Sequence, residues 1–141
     1  MRQLDKILDL RRDIYSIEER LVELRQITQP KAQVISDMPR GGGERKNLIE
    51  EYVIKAEKLE RKLRRKRAEL DNRWNEVVYV FSEAGVTQAQ QTMMKERFYN
   101  AKPWKVCVKS MQKVYPDSKW NEQKLFRMYR DVLYKINRMR A

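Results

Sequence analysis

Six aliphatic residues near the start of the chain, Ile7, Leu10, Ile14, Ile17, Leu21 and Leu24, recur at steps of 3, 4, 3, 4 and 3. Only a helix brings positions so spaced onto one stripe, because a strand returns to the same face every second residue. The spacing is a heptad seam held for more than two repeats, which fits a helix packing along another helix. Charges fill the outer positions, with Asp5, Asp9, Asp13 and Glu18 near Arg11, Arg12 and Arg20. The helix is expected to end before Pro30, whose ring disfavours helical geometry at Gln29.

A second seam follows, through Ile49, Tyr52, Ala56, Leu59, Leu63, Leu70, Val77 and Val80. Lys66 and Arg73 occupy its two positions that are not apolar, where a long stem can cover apolar surface while its charge stays in water. Between the seams, residues 29–43 hold Pro30, Pro39 and the triplet Gly41, Gly42 and Gly43, which predicts a loop. The two helices are expected to fold back as an antiparallel hairpin, a coiled-coil arm over 1–86. Its seams also admit a homo-oligomer. Glycine and proline number only four each, too few for a turn-rich sheet protein, so the fold class expected is all-α.

After the break at Gly85 the pattern predicts three helices, over roughly 87–99, 104–114 and 121–139. The segment from Asn100 to Pro103 separates the first two, and Pro103 suits a helix start. The segment from Tyr115 to Ser118 precedes the third, for which Ser118 or Asn121 can act as N-cap. Trp104, Cys107, Met111 and Val114 form the packing stripe of the middle helix. Leu125, Tyr129, Val132, Ile136 and Met139 form that of the last, with Phe98, Trp104, Trp120 and Phe126 read mainly as core. The expected division is a hairpin arm over 1–86 and a three-helix, helix-turn-helix-like domain over 87–141.

The chain carries 32 basic and 20 acidic residues, a net charge of +12, and nine of those twelve charges fall after residue 86. Such an excess points to a polyanion, either a nucleic acid or an anionic membrane surface. The last helix narrows the choice. Opposite its apolar stripe lie Gln123, Arg127, Arg130, Tyr134 and Arg138, with Asp131 at the edge. Arginine offers a two-pronged donor to guanine or phosphate, and asparagine and glutamine can read adenine. The candidate DNA-binding residues are therefore Lys119 just before the helix, Asn121, Gln123 and Lys124 for bases, Arg127 for bases or backbone, and Arg130 and Arg138 on phosphate. A purely solvated basic face is the plainer alternative. The basic stretch 55–67, eight cations against two acids, reads either as a solvated face or as an auxiliary phosphate-contacting stripe.

Other chemistries find little support. Histidine is absent, which removes the commonest general base and metal ligand. The single cysteine, Cys107, lies in an apolar helical pattern and reads as a buried structural thiol. Glu18 with Glu19 and Glu50 with Glu51 are neighbours in sequence, so on a helix each pair diverges. No enzyme, metal or cofactor is expected. No apolar run approaches the roughly 20 residues that span a bilayer, and the charged N-terminus does not read as a signal peptide, so a cytoplasmic location is expected.

The run Met94-Lys-Glu-Arg97-Phe98, then Trp104, then Tyr129-Arg130-Asp-Val-Leu133-Tyr-Lys-Ile136 resembles the RinA/ArpU-like transcriptional regulators encoded by phages of Gram-positive bacteria. The segment Met38-Pro39-Arg40-Gly41-Gly42 before a charged helix fits the same resemblance, which spans the whole chain through short motifs. It implies a C-terminal half similar to sigma-factor region 4. It also implies activation of phage late genes in the host bacterial cytoplasm, by binding promoter DNA and contacting host RNA polymerase. One departure stands out: the link around 115–120 is longer than a sigma-like turn, so either the turn is expanded or the recognition helix starts earlier. Two other functions fit the residues. A phage DNA-packaging factor of the small-terminase kind combines a helix-turn-helix with coiled-coil assembly, and a coiled-coil adaptor or inhibitor would bind protein alone.

Overall fold

The computed structural model describes residues 2–28 and 42–140, with side chains for 2–26 and 48–140. The protein is all-α. In chain order it forms α1 (Arg2–Thr28), α2 (Gly42–Glu83), α3 (Gln88–Met94) running into a π-helical turn (Lys95–Tyr99), α4 (Trp104–Val114) and α5 (Glu122–Arg140), with no strand among the described residues. The loop expected over 29–43 falls, for 29–41, outside the described residues, and Gly42 and Gly43 already belong to α2. Among the described residues no helix is long and apolar enough to cross a membrane.

The chain packs as two compact units, one of Met1–Arg11 with Glu69–Ala141 and one of Arg12–Ala68. In the Arg12–Ala68 unit the seam residues Ile14, Ile17, Leu21, Leu24 and Leu63 are buried. Cross-helix ion pairs fix the sense of the packing: Asp13 with Lys66 at 3.4 Å, Glu18 with Arg67 at 2.9 Å and Arg25 with Glu60 at 3.8 Å. As the number rises along α1 it falls along α2 between the first and last pairs, so the helices are antiparallel here. Lys66, in an apolar seam position, is half-buried along its stem and keeps its ammonium at Asp13. Pairs this exposed contribute less than about 1 kcal/mol each, so register and burial, not charge, hold the unit together.

In the other unit the core gathers residues far apart in sequence. Leu4, Ile7, Leu10, Leu70, Trp74, Val77 and Phe81 are buried, as are Met93, Met94, Phe98, Cys107, Met111, Leu125, Val132 and Ile136. Trp74 packs edge-on against Phe81, ring centroids 6.0 Å apart, and lies 5.7 Å from Tyr99. Arg11 binds the same tyrosine, donating from Nε to its carbonyl and lying over its ring, while the Tyr99 hydroxyl donates to Asp71. That hydrogen bond to a carboxylate is the main reason the Tyr99 pKa rises above the ordinary phenol value.

Gly85 explains how α2 stops. It adopts φ +75, a conformation that carries no Cβ penalty only for glycine. Val86 N then donates back to the Phe81 carbonyl at 3.0 Å and Gly85 N to that of Ser82 at 3.3 Å. These are the two bonds of a Schellman cap, completed by burial of both Val86 and Phe81. Two residues later α3 starts on a reciprocal capping box: Gln90 N donates to Thr87 Oγ1 at 3.2 Å, and Thr87 N to Gln90 Oε1 at 3.1 Å. A tight stop followed at once by a tight start turns the chain within four residues.

Candidate nucleic-acid interface

The outer face of α5 is set by what its inner face must bury. Leu125, Val132 and Ile136 are at most 1 % exposed. Tyr129 stacks on Phe98, ring centroids 5.8 Å apart, and meets Trp104 at 5.7 Å, while Phe126 meets Trp104 edge-on at 5.2 Å. The Arg97 guanidinium lies over both Phe98 and Trp104. This cluster ties the π-helical turn, α4 and α5 into one body. With the inner face so fixed, helical geometry turns Gln123, Arg127, Arg130, Tyr134 and Arg138 to solvent, and all five are exposed. Three expected core positions are exposed, Val114, Phe126 and Met139 at 55 %, 38 % and 42 %, and Trp104, Trp120 and Tyr129 are half-buried. Val114 and Met139 lie in the last turn of their helices, beyond Met111 and Ile136, the last positions that are fully covered. Phe126 sits at the edge of the stripe and touches Trp104 with only part of its ring.

The start of α5 falls at Glu122, so seven residues link it to α4 and the last helix does not begin earlier. Helix-turn-helix links ordinarily take three or four. Side chains brace the extra length. Trp120 Nε1 donates to the Tyr115 carbonyl at 3.0 Å, Trp120 N donates to Gln112 Oε1 at 3.3 Å, and Gln112 Nε2 donates to the Pro116 carbonyl at 3.3 Å. The Trp120 and Tyr115 rings lie 6.1 Å apart.

The seven sequence-predicted site residues divide into two groups. Asn121 and Lys124 are engaged locally. Asn121 Oδ1 accepts from Lys124 N at 2.8 Å, which makes it the N-cap. Lys124 Nζ donates to the Lys119 carbonyl at 3.4 Å and lies 4.1 Å from the Trp120 ring centroid. Lys119, Gln123, Arg127, Arg130 and Arg138 are exposed, and their side chains form no hydrogen bond or ion pair among the described residues. Asp131, the one carboxylate close to this face, is taken up elsewhere. It accepts from Gln90 Nε2 at 2.6 Å and pairs with Lys135 at 3.3 Å. The Gln90 hydrogen bond, aided by Lys135, holds its carboxyl below the ordinary 3.8. The arginines therefore keep their charge without an internal counter-ion.

A second cationic row was not singled out in the sequence. Lys105, Lys109 and Lys113 lie at i, i+4 and i+8 on α4, opposite Cys107 and Met111, and all three are exposed. They have no ion pair among the described residues. The signal for them is the same spacing that marks an apolar stripe, read on lysine instead. Cys107 itself is fully buried, its thiol donating toward the Lys102 carbonyl at 3.5 Å, and burial pushes its pKa up. Among the described residues no three His, Cys, Asp or Glu side chains converge as a metal site.

No family model, curated protein or solved structure matches the chain.

Proposed function

We propose that the protein is a double-stranded-DNA-binding transcriptional regulator that reads its site with the outer face of α5. The observation that carries this reading is the row Arg127, Arg130 and Arg138, exposed on one helix face without an internal counter-ion, beside an exposed amide at Gln123. A solvated helix ordinarily mixes both signs on its outer face. Unpaired guanidinium groups keep their full attraction for phosphate and their geometric match to guanine. In this reading the exposed lysines of α4, Lys105, Lys109 and Lys113, contact the backbone, so that α5 supplies base contacts and α4 register. Asn121 and Lys124 then act chiefly through the shape of the turn.

The resemblance to RinA/ArpU-like regulators extends the proposal to an activator of phage late genes in the bacterial cytoplasm, binding promoter DNA and contacting host RNA polymerase. Duplex binding by the full-length chain, measured by fluorescence anisotropy from low to moderate salt, tests its electrostatic core. The logarithm of affinity should fall linearly with the logarithm of salt concentration, with a slope of about −0.9 per phosphate neutralised. Absence of binding at low salt, or binding that salt does not weaken, refutes the proposal.

A further inference from the structure

We propose that the Arg12–Ala68 unit carries a docking groove for an acidic amphipathic helix of another protein. This does not rest on DNA binding by α5. Between α1 and α2 lies a groove of about 390 Å³ lined by Ser16, Ile17, Arg20, Lys55, Lys58, Leu59 and Lys62. Its floor is aliphatic, from Ile17 and Leu59. Its rim holds four cations and no carboxylate.

The cations are not there to hold the helix pair together. The carboxylates that bridge α1 and α2, Asp13, Glu18 and Glu60, are matched to Lys66, Arg67 and Arg25 and lie outside the groove lining. Lys55 has an exposed partner at i−4, Glu51, at 3.4 Å. Arg20, Lys58 and Lys62 form no ion pair or hydrogen bond among the described residues. Arg20, Lys58 and Lys62 around one groove repel each other, so an anionic occupant relieves that repulsion.

The apolar part selects among anions. Along this edge of α2, Leu48, Tyr52, Lys55, Leu59 and Lys62 recur at 4, 3, 4 and 3, a row that shares Tyr52 and Leu59 with the seam expected to meet α1. Leu48 is 50 % exposed, and Tyr52 and Leu59 are only half-buried. From Leu48 to Lys62 the seam rises about 21 Å, four turns of helix. An aliphatic seam with a cationic rim fits a helix carrying apolar residues at i, i+3, i+4 and i+7 and carboxylates on its flanks. A phosphate backbone would use the rim and leave the floor exposed. A second copy of this chain is disfavoured by the net charge of +12 on each partner.

The test uses the full-length protein and a fluorescein-labelled peptide of roughly 20 residues, with leucine at i, i+3, i+4 and i+7 and glutamate at most other positions. A scrambled peptide of the same composition and a random-sequence DNA duplex serve as the other probes. Anisotropy titrations compare the wild type with Lys58→Glu/Lys62→Glu, both positions being exposed. Lys58→Ala/Lys62→Ala serves as a second variant in case the reversal alters folding. The amphipathic peptide should bind at least about tenfold tighter than the scramble. The reversal should weaken it by about tenfold or more while melting and duplex affinity stay as in the wild type. Equal binding of both peptides, or an unchanged affinity in both variants, overturns the proposal. So does a loss confined to the duplex, which would make the rim a nucleic-acid stripe. A wild-type dimer that the variants disperse, with no peptide binding, would assign the groove to a second copy.

Discussion

The side chain of Gln90, in the first turn of α3, donates to Asp131 in the middle of α5 across 2.6 Å, 41 residues away in sequence. Gln90 is 7 % exposed and closes the capping box with Thr87 through the same amide oxygen that accepts from Lys135 at 3.0 Å. One buried amide thus starts a helix, docks it on α5 and, with Lys135, engages the carboxylate beside the arginine face.

That arrangement predicts an acid-sensitive link. The Asp131 carboxyl is held below its ordinary 3.8, so its contribution is fully present above that value and is lost as pH falls through the lowered folded value. Gln90→Leu should destabilise the protein by about 1–2 kcal/mol at neutral pH, through the lost cap and hydrogen bond. Its denaturant midpoint should also fall less steeply with acid below pH 4 than that of the wild type. Parallel midpoint profiles between pH 2 and pH 7 would show that the two residues do not interact.

Gly85 isolates a backbone effect. A Cβ built there meets nothing within 4 Å, yet φ is +75. Gly85→Ala should therefore cost about 1 kcal/mol through backbone conformation alone, and Gly85→Asn less, because asparagine tolerates the left-handed region better. Chemical denaturation reads the order directly. A larger loss for asparagine than for alanine would contradict the Schellman geometry.

Leu21 and Val22 are neighbours with opposite fates, 4 % and 52 % exposed. Leu21→Ala should cost about 2–5 kcal/mol and Val22→Ala no more than about 0.5 kcal/mol. A comparable loss at Val22, seen in thermal or urea melts, would mean that the outer face of α1 is covered in solution.

Arg127 and Arg138 separate base reading from backbone grip on the proposed DNA face. Arg127→Ala should cost roughly 1–3 kcal/mol on a selected site and relax preference at one base pair. Arg138→Ala should weaken selected and random duplexes alike and lower the salt slope by about one. Both variants should melt like the parent, since both side chains are exposed. An unchanged selected-to-random ratio for Arg127→Ala would move base reading to another face, with the α4 lysines next in line.

The helices themselves were legible in the residues. Seams at 3 and 4, the stop at Gly85, the start at Pro103 and the cap at Asn121 are local signals, and each is satisfied within a few residues by backbone geometry or capping bonds. The exposure of Arg127, Arg130 and Arg138 was legible for the same reason, because burying Leu125, Val132 and Ile136 leaves a helix one opposite face. Tertiary structure alone decided what those faces meet. Periodicity says that Ile7 and Leu10 are buried, but not that they share a compact unit with Met111 and Ile136. It says that Asp131 sits beside the arginines, but not that Gln90 and Lys135 engage it. It counts the cations of 55–67, but not that Lys58 and Lys62 border an aliphatic groove with Arg20 while Lys66 and Arg67 pair across the helices. Helix formation depends on neighbours three and four residues apart. Partner choice depends on contacts up to 88 residues apart, such as Arg11 with Tyr99, and no local pattern encodes those.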